Sequence, residues 1–347
     1  MQPFDPDAAA QPGSGIFGLP HGPDEAAVHV LGVPFDATTS YRRGTAHGPE
    51  AVVAASAQVD LYDRLFGKPY EQGIWYRADD GTLAGWNDQA RALADPVIAA
   101  GGADPDSHEH AHLLAELAAL GSRVNERVEE FTTDCLAAER LPVVLGGDHS
   151  VPFGAIRAAA RAHPGLGVLH FDAHADLRVA FEGFEWSHAS IFHNVLEQVP
   201  GVASLVQVGI RDLGHAEAMR CDADPRIHTL FDDEWAEVVA RGGDRRQAIR
   251  RHLERLPQEV WISFDIDGLS PDLCPSTGTP VPGGLDWHQT MQWLEELVLR
   301  GHRIVGVDLC EVAPPEGARD PEGASWDAVV GARLLYRLIG AAMSSRG

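Results

Sequence analysis

Three acid and imidazole side chains alternate directly after an apolar run in this sequence. The run "GLGVLHF" (165–171) is typical of a buried strand, and Asp172, His174 and Asp176 follow it. Residues two apart in an extended chain face the same side, so these side chains can point together. Because carboxylates are almost never fully buried unless they are paired or bound to metal, the pattern indicates a metal site.

Three further polar groups occupy the same position relative to a predicted strand. His149 lies in "GGDHS" after "LPVVL", Asp265 and Asp267 follow "VWISF", and Glu311 follows "RIVGVDLC". In an open parallel sheet, ligands bind in the crevice outside the carboxyl ends of the strands. We therefore expect all four groups to converge at one edge of a sheet.

The combined set of two imidazoles and four aspartates carries too much negative charge to be stable without cations. About two divalent ions would balance four carboxylates, and bridging carboxylates would hold the ions roughly 3.5–4 Å apart. Nitrogen and oxygen donors without a thiolate favour Mn(II), with Fe, Co, Ni or Zn as alternatives. Calcium prefers more oxygen ligands and no histidine, so it is a poor candidate.

Apolar strand candidates alternate with helical segments, which is typical of a parallel sheet covered by helices on both faces. The predicted strands are 27–33, 141–147, 165–171, 204–210, 259–265 and 303–309. The predicted helices are roughly 49–62, 107–139, 152–163, 233–255, 286–301 and 325–343. The pattern predicts the α/β class, as a single three-layer α/β/α domain.

Two segments lack this alternation. Residues 1–25 are rich in Pro, Gly, Ala and Asp, which predicts a flexible N-terminal arm. Residues 64–106 show no regular pattern, which predicts an irregular insertion or a lid. The remainder has no linker-like composition shift and no internal repeat, so we expect 26–347 to be one domain.

The charge balance excludes two classes of partner. The chain has 51 acidic and 27 basic residues, a formal net charge of -24 at pH 7. Nucleic acids and anionic membranes both require a basic surface, so we expect neither. A small cationic substrate suits an acidic protein.

The cysteines and the N-terminal residues indicate the cellular compartment of the protein. Four cysteines, Cys135, Cys221, Cys274 and Cys310, lack the spacing of a disulfide framework, so we expect reduced thiols. The opening "MQPFDPDAAAQPGSG" has neither a basic region nor an apolar core, which argues against a signal peptide. A membrane span needs a run of about 18 apolar residues, which this sequence lacks. These features predict a cytoplasmic protein.

The motifs "GGDHS", "DAHAD", "SFDIDGL" with "TGTPVPGG", and "DLCEV" together resemble the ureohydrolase family of arginases and agmatinases. The likeness spans roughly 28–340 and includes "LGVPFDATTSYRRGTAHGPEAV". It implies one catalytic domain with the arginase-like fold, in which a parallel sheet has about eight strands. It also implies two Mn(II) per subunit, hydrolysis of a guanidino C–N bond, and a homo-trimer or homo-hexamer.

The resemblance implies one pair of ligands for each metal ion and two further ligands that bind both ions. His149 and Asp176 would bind one ion, and His174 and Asp267 would bind the other. Both ions would be bridged by the same two carboxylates, those of Asp172 and Asp265.

The resemblance also implies roles in catalysis. Glu311 lies where the family holds the guanidinium of the substrate. His188, in "EWSHAS", lies where the family has a loop histidine that supplies protons to the leaving amine. Asp176 would accept a hydrogen bond from the attacking hydroxide as well as binding metal.

One departure from the family pattern is Ser270. The family commonly has "DxDGLDP", whereas this chain has "DIDGLSP". The replaced aspartate is not a ligand, so we expect metal binding to be retained with altered support around the ligands. Asp272, two residues later, is the residue we expect to compensate.

A second departure concerns the substrate. Arginases tend to follow the "DAHTD" motif with isoleucine and asparagine, but here Leu177 and Arg178 follow. Arg178 is a candidate to bind a substrate carboxylate, although capping a loop is its favoured role. Agmatine, hydrolysed to putrescine and urea, is the preferred substrate, while guanidinobutyrate, arginine, guanidine and formimidoylglutamate stay open.

Two alternatives of another class also stay open. "HEHAH" (108–112) formally matches the HExxH motif of zinc proteases, but it follows Pro105-Asp106-Ser107, a helix start, so an exposed helix N-terminus is the favoured interpretation. The other alternative is a non-catalytic, metal-binding relative. The complete set of six ligands together with Glu311 argues against it.

Overall fold

A computed structural model of the chain describes residues 4–11 and 13–346. The strands are β1 (Val28–Val33), β2 (Ile74–Arg77), β3 (Leu141–Gly146), β4 (Leu166–Phe171), β5 (Val202–Ile210), β6 (Ile227–Phe231), β7 (Glu259–Asp265) and β8 (Arg303–Cys310). They form one parallel sheet in the order β2-β1-β3-β8-β7-β4-β5-β6. The predicted α/β class with a parallel sheet is confirmed.

Helices cover both faces of this sheet. They are α1 (Gly48–Ser56), α2 (Thr82–Ala99), α3 (His108–Ala137), α4 (Phe153–Ala162), α5 (Ile191–Gln198), α6 (His215–Ala223), α7 (Asp232–Ala240), α8 (Arg245–Leu253), α9 (Trp287–Leu299) and α10 (Trp326–Ser344). One apolar core lies between the sheet and α1 with α7–α10, and a second lies between the sheet and α2–α5. The domain therefore has three layers.

The inner strands are buried on both faces. In β1, Val28 and Val30 belong to the first core, whereas Leu31 and Val33 belong to the second. Every residue of β1, β3 and β4 is buried. This double burial explains why these strands are continuous apolar runs in the sequence rather than alternating patterns.

The segment 64–106 contains regular structure, so the prediction of an irregular insertion is wrong. It includes the edge strand β2 and the 18-residue helix α2. β2 has only four residues and pairs with β1 alone, which makes its sequence pattern weak. The face that α2 buries consists partly of alanines, with Leu83 and Val97, so its periodicity is hard to detect.

Three further elements, β6, α5 and α6, were not predicted, and the predicted helix 233–255 is two helices. α7 ends close to Gly242, which has a φ of 64°. A residue in the left-handed region cannot continue a right-handed helix, and glycine adopts that region without strain. The side chain of Asp244 then accepts a hydrogen bond from the Gln247 N–H and begins α8.

From residue 16 onward the N-terminal segment packs against the domain, so the expected flexible arm is wrong for this part. Ile16, Phe17 and Leu19 are buried. The ring centroid of Phe17 lies 4.9 Å from that of Tyr336 in α10. The Phe17 N–H donates to the Ser56 hydroxyl of α1 at 2.8 Å. This segment therefore extends the first core beside α1 and α10.

The four cysteines are unpaired, as predicted. Across the described residues, no helix is both long and apolar enough to span a bilayer.

Replacing Phe17 by alanine should lower the free energy of unfolding by about 3–5 kcal/mol, because it removes a buried aromatic ring and leaves a cavity. Phe4→Ala is the matched control, since Phe4 lies in the same segment but is 41% exposed. We expect its effect to stay within about 0.5 kcal/mol. Urea denaturation followed by circular dichroism measures both values, and equally small effects would show that the segment does not anchor the domain.

Candidate metal centre

Four central strands end side by side and bring the predicted polar groups together. β3, β8, β7 and β4 are consecutive in the sheet. His149 follows β3, Glu311 follows β8, Asp265 ends β7, and Asp172 follows β4. Because all these strands are parallel, their carboxyl ends lie at the same edge. The predicted convergence of the four groups is therefore observed.

The first group of donor atoms surrounds His149. Its Nδ1 lies 3.0 Å from Asp172 Oδ2, 3.1 Å from Asp176 Oδ2 and 3.5 Å from Asp265 Oδ2. All four residues are buried. One imidazole nitrogen and three carboxylate oxygens are thus close enough together to bind a single ion.

The second group surrounds His174. Its Nδ1 lies 3.1 Å from Asp267 Oδ2 and 3.4 Å from Asp172 Oδ1. Asp172 therefore offers one oxygen to each group. Two groups of nitrogen and oxygen donors that share a carboxylate fit a pair of divalent ions.

Backbone amides hold the carboxylates in place. The Asp267 N–H donates to Asp265 Oδ1 at 2.8 Å, and the Ala173 N–H donates to Asp267 Oδ1 at 3.0 Å. In both aspartates the second oxygen, Oδ2, faces a histidine of the centre. The His174 N–H similarly donates to Asp172 Oδ1 at 2.6 Å. Hydrogen bonds to ionised groups are the stronger kind, so these contacts fix the direction of each carboxylate.

Two acidic residues of the site have left-handed backbone conformations. Asp176 has a φ of 53° and Glu311 a φ of 62°. Such conformations cost about 1–3 kcal/mol in a residue other than glycine and are retained where the surroundings hold them. The carbonyl of Asp176 accepts hydrogen bonds from the Phe192 and His193 N–H groups at the start of α5. These bonds hold the bend that directs Asp176 toward His149.

A chain of hydrogen bonds behind His149 determines which ring nitrogen is available to a metal. His149 Nε2 lies 2.9 Å from Ser263 Oγ, and that hydroxyl donates to Asp308 Oδ1 at 2.9 Å. Since the single hydroxyl hydrogen is used on Asp308, Ser263 must accept from His149 Nε2–H. In the neutral ring the free lone pair is then on Nδ1, which is the atom that faces the carboxylates and would bind a metal.

The sequence interpretation did not assign His170, Ser263 or Asp308 to the site. Each is fully buried inside a strand that is otherwise mostly apolar. A buried polar side chain needs a partner, so a polar residue within such a run was a usable signal. The identity of the partner was not readable, because it lies on another strand.

The pKa values of Asp176, Asp265 and His174 reflect an excess of negative charge. Burial and then the neighbouring Asp172 raise the pKa of Asp176 to about 8. Burial, followed by Asp267 and Asp172, raises the pKa of Asp265 well above its usual range. Burial opposes the charged form of His174, but Asp267 and Asp172 outweigh it and raise its pKa to about 12. Divalent cations would stabilise the ionised carboxylates together, which agrees with the donor set.

Glu311 lies beside the first donor group as a buried carboxylate. Its Oε1 accepts the His149 N–H at 2.9 Å, and its backbone carbonyl accepts the Thr277 hydroxyl at 2.8 Å. A Cβ at Gly278 would lie 3.3 Å from Oε2, so the absence of a side chain there leaves that oxygen open. Burial and then Asp148 raise the pKa of Glu311 well above its usual range. A cationic ligand would stabilise its ionised form.

His188 begins a short 3-10 turn, His188–Ser190, that precedes α5. Burial and then the charge of His174 lower the pKa of His188 to about 4. Its Nδ1 is buried and has no hydrogen-bond partner among the described residues. The ring is therefore neutral near pH 7 and has one nitrogen available for a ligand or a proton.

Arg178 contacts an acidic residue of α6. Its Nε lies 3.3 Å from Glu217 Oε2, and its guanidinium carbon lies 5.2 Å from the ring centroid of Phe181. Glu217 also accepts the Leu177 N–H at 3.0 Å and the Gly214 N–H at 2.7 Å. These contacts support the loop-capping role that was favoured for Arg178.

The position of Asp272 does not match its expected role. Asp272 is exposed, and its backbone carbonyl accepts the Trp326 indole N–H at 2.9 Å. The Ser270 N–H donates to the Leu285 carbonyl at 2.9 Å and so ties the loop after Asp267 to the segment before α9. Backbone contacts, and not the carboxylate of Asp272, support this loop.

The "HEHAH" residues form the first turn of α3, as predicted. Ser107 caps the helix by accepting the His110 N–H. His112 lies 3.3 Å from Glu116 on the exposed side of the helix. His110 Nδ1 accepts the Asp104 N–H. These residues are placed as an exposed helix start and not as a zinc site.

Removing the Ser263 hydroxyl should weaken metal binding about tenfold or more, because His149 Nε2–H loses its acceptor and the ring is no longer held. We expect the Kd for Mn(II) of Ser263→Ala to rise by that factor, as measured by competition with a chelator. Ser204→Ala, which alters another buried strand serine, is the matched control. An unchanged Kd in Ser263→Ala would contradict the positioning role of Ser263.

Comparison with known proteins agrees with this geometry. The model of the arginase family matches residues 26–340. An N(1)-aminopropylagmatine ureohydrolase from Thermus thermophilus is 34% identical over 94% of this chain and 94% of its own length. A guanidinopropionase from Pseudomonas aeruginosa is 32% identical over 92% of this chain and 89% of its own length.

Among solved structures, proclavaminate amidinohydrolase from Streptomyces clavuligerus aligns with a TM-score of 0.70 and 26% identity. The alignment covers 96% of this chain and 99% of that structure. Agmatine ureohydrolase of Thermoplasma volcanium aligns with a TM-score of 0.68 over 93% of this chain and 92% of that structure. The fold, the converging ligand segments and the family match agree, and this chain belongs to the arginase family, as an agmatinase-like ureohydrolase.

Proposed function

We propose that this protein hydrolyses the guanidino C–N bond of agmatine, giving urea and putrescine, at a centre of two Mn(II) ions. The observation that carries the proposal is the pair of donor groups that share Asp172, with the buried carboxylate of Glu311 beside them. A guanidinium binds a carboxylate strongly through paired hydrogen bonds. Metal ligands and a cation-binding carboxylate in one place suit a reaction on a guanidinium carbon.

Each donor group would hold one ion. His149 and Asp176 would bind the first ion, and His174 and Asp267 the second, with Asp172 and Asp265 shared between them. Nitrogen and oxygen donors without a thiolate support Mn(II), and Fe, Co, Ni and Zn suit the same donors. The chemistry that two such ions supply is a nucleophile made from water near neutral pH.

Side chains of the protein would bind the substrate and transfer protons. Glu311 would hold the guanidinium so that its carbon faces the centre and its positive charge is paired. Asp176 would accept a hydrogen bond from the attacking water. His188, neutral near pH 7 and with Nδ1 unpaired, would accept at Nδ1 a proton released by the attacking water and pass it to the leaving amine.

Charge supports an amine-terminated substrate. The chain has a formal net charge of -24, which favours a dication such as agmatine. Arg178, the cation considered for a substrate carboxylate, is paired with Glu217. Relatives named N(1)-aminopropylagmatine ureohydrolase and agmatinase are 34% and 28% identical to this chain, and the guanidinopropionase is 32% identical. Identity alone therefore does not separate these substrates, and the preference rests on charge. We therefore prefer agmatine and its N-aminopropyl derivative over guanidinobutyrate, arginine, guanidine or formimidoylglutamate.

The Mn(II)-loaded protein should release urea from agmatine or N(1)-aminopropylagmatine more efficiently than from guanidinobutyrate, guanidinopropionate, arginine or guanidine. We expect kcat/KM to be at least about tenfold higher, which corresponds to ~1.4 kcal/mol of transition-state stabilisation. A urea assay measures this, with chromatography of substrate loss for formimidoylglutamate. A preference for a carboxylated guanidine would contradict the amine-terminated substrate. If no compound reacted with metal bound, a non-catalytic relative would be the correct interpretation.

Asp265→Asn should abolish urea release and reduce the bound metal below two ions per subunit, because the substitution removes the charge of a shared carboxylate. Asp272→Asn is the matched control, since Asp272 is exposed in the loop that follows. We expect its metal content and kcat to equal those of the unaltered protein. Metal analysis by mass spectrometry with the urea assay measures both, and full activity of Asp265→Asn would contradict the assignment.

His188→Asn should lower kcat about 100-fold or more, the usual contribution of general acid–base catalysis, while metal content stays unchanged. Added imidazole should restore part of the rate, since it can carry the same proton. A normal kcat in this variant would exclude His188 as the proton carrier.

We propose a homo-trimer or homo-hexamer in the cytoplasm. Light scattering on the purified protein measures the number of subunits.

A further inference from the structure

We propose that a buried row of hydrogen bonds across β4, β5 and β6 positions Asp172, and that His170 is the residue that holds this carboxylate. The row consists of His170, Gln207 and Thr229, and we call it the polar ladder. His170 Nε2 lies 2.8 Å from Asp172 Oδ2, His170 Nδ1 lies 3.0 Å from Gln207 Nε2, and Thr229 Oγ1 lies 3.0 Å from Gln207 Oε1. The inference rests on the proposed metal centre.

Strand register brings the three side chains into line. His170 of β4 is the direct partner of Gln207 of β5, and Gln207 is the direct partner of Thr229 of β6. Partners in adjacent strands project from the same face of a sheet. His170 and Gln207 are both fully buried, so each must find its partners within the protein.

The orientation of the Gln207 amide follows from its neighbours. Gln207 Nε2 lies 2.9 Å from the carbonyl oxygen of Ala175, which can only accept a hydrogen bond. The atom facing Ala175 must therefore be the amide nitrogen, and its second hydrogen points to His170 Nδ1. Thr229 Oγ1 and, at 3.8 Å, Cys221 Sγ donate to the amide oxygen.

This orientation determines the protonation of His170. Because Nδ1 accepts from Gln207, it carries no hydrogen, and Nε2 of the neutral ring must carry one. Nε2–H then donates to Asp172 Oδ2. A nitrogen that carries a hydrogen cannot bind metal, so His170 positions a ligand although it lies within reach of the first donor group.

Packing prevents the His170 ring from turning away. Its centroid lies 4.1 Å from that of Phe192 and 5.3 Å from that of His149. The oxygen it holds, Asp172 Oδ2, is also the one that lies 3.0 Å from His149 Nδ1. Holding Oδ2 leaves Oδ1 directed to His174, at 3.4 Å, so the ladder sets how Asp172 is shared.

The same amide also holds the backbone that carries His174 and Asp176. Ala175 lies between His174 and Asp176, and its carbonyl is the second acceptor of Gln207 Nε2. One side chain in the neighbouring strand, Gln207, thus holds both the shared carboxylate, through His170, and the loop that carries His174 and Asp176. This double attachment predicts that the ladder controls metal affinity without contributing a ligand.

The test uses His170→Phe, which keeps the ring shape but removes the donor. We expect this variant to bind two Mn(II) per subunit with a Kd about 10–100-fold higher than that of the unaltered protein, measured by chelator competition without substrate. His170→Gln places an amide donor near the original Nε2 and should recover most of the affinity. His228→Phe, on β6 with its side chain on the opposite face from Thr229, is the matched control and should bind normally.

Thermal unfolding of each metal-free variant reports folding separately from binding. An unchanged Kd in a folded His170→Phe protein would overturn the inference, since the donor would then be dispensable. A stoichiometry of one ion would also overturn it, because His170 would be a ligand. These outcomes are independent of the proposed function, because a protein that binds two Mn(II) yet hydrolyses no guanidine would contradict the function and leave the ladder intact.

Discussion

Repulsion among buried carboxylates at one edge of the sheet is the constraint on which this structure depends. Asp172, Asp176, Asp265 and Asp267 lie with Glu311 where four adjacent strands end, and all five are buried. Buried charges are stable only when they are paired, hydrogen-bonded or bound to metal. The three nearby imidazoles, those of His149, His170 and His174, cannot balance five ionised carboxylates, so keeping all five ionised requires further cations. Two divalent ions and a guanidinium substrate would provide them.

The protein prepares this site from inside its strands as well as from its loops. Ser263 and Asp308 hold the ring of His149, while His170 and Gln207 hold Asp172. In both cases the hydrogen bonds lead to a group that accepts, the carboxylate of Asp308 or the carbonyl of Ala175. This acceptor determines which role the neighbouring histidine nitrogen has in its own hydrogen bond. Rigid strands therefore determine which atoms face the metal, and the loops supply the ligands themselves.

The sequence predicted the fold class, six of the strands and the convergence of the ligands. These are local properties, because continuous apolar runs identify buried strands and alternating acids after them share a direction. β2 and α2 were missed because one is a short edge strand and the other buries small side chains. The N-terminal segment looked like an arm because composition does not reveal that Phe17 has a partner in Tyr336.

The roles of the residues that support the site could not be predicted from local sequence either, because their partners lie on other elements. His170 lies two residues before Asp172 in the sequence, but its role depends on Gln207, which strand register places opposite it. Arg178 could not be assigned until its contact with Glu217 of α6 was known. Spacing in the sequence identifies residues that can act together. Hydrogen-bond partners on other strands and helices determine how each of these residues is held.

The central claim is that six side chains form one binuclear centre that shares Asp172 and Asp265. Anomalous diffraction from crystals grown with Mn(II) tests it most directly. We predict two manganese peaks roughly 3.5–4 Å apart, one beside His149 and Asp176 and the other beside His174 and Asp267. A single peak, or manganese bound away from these residues, would contradict the account.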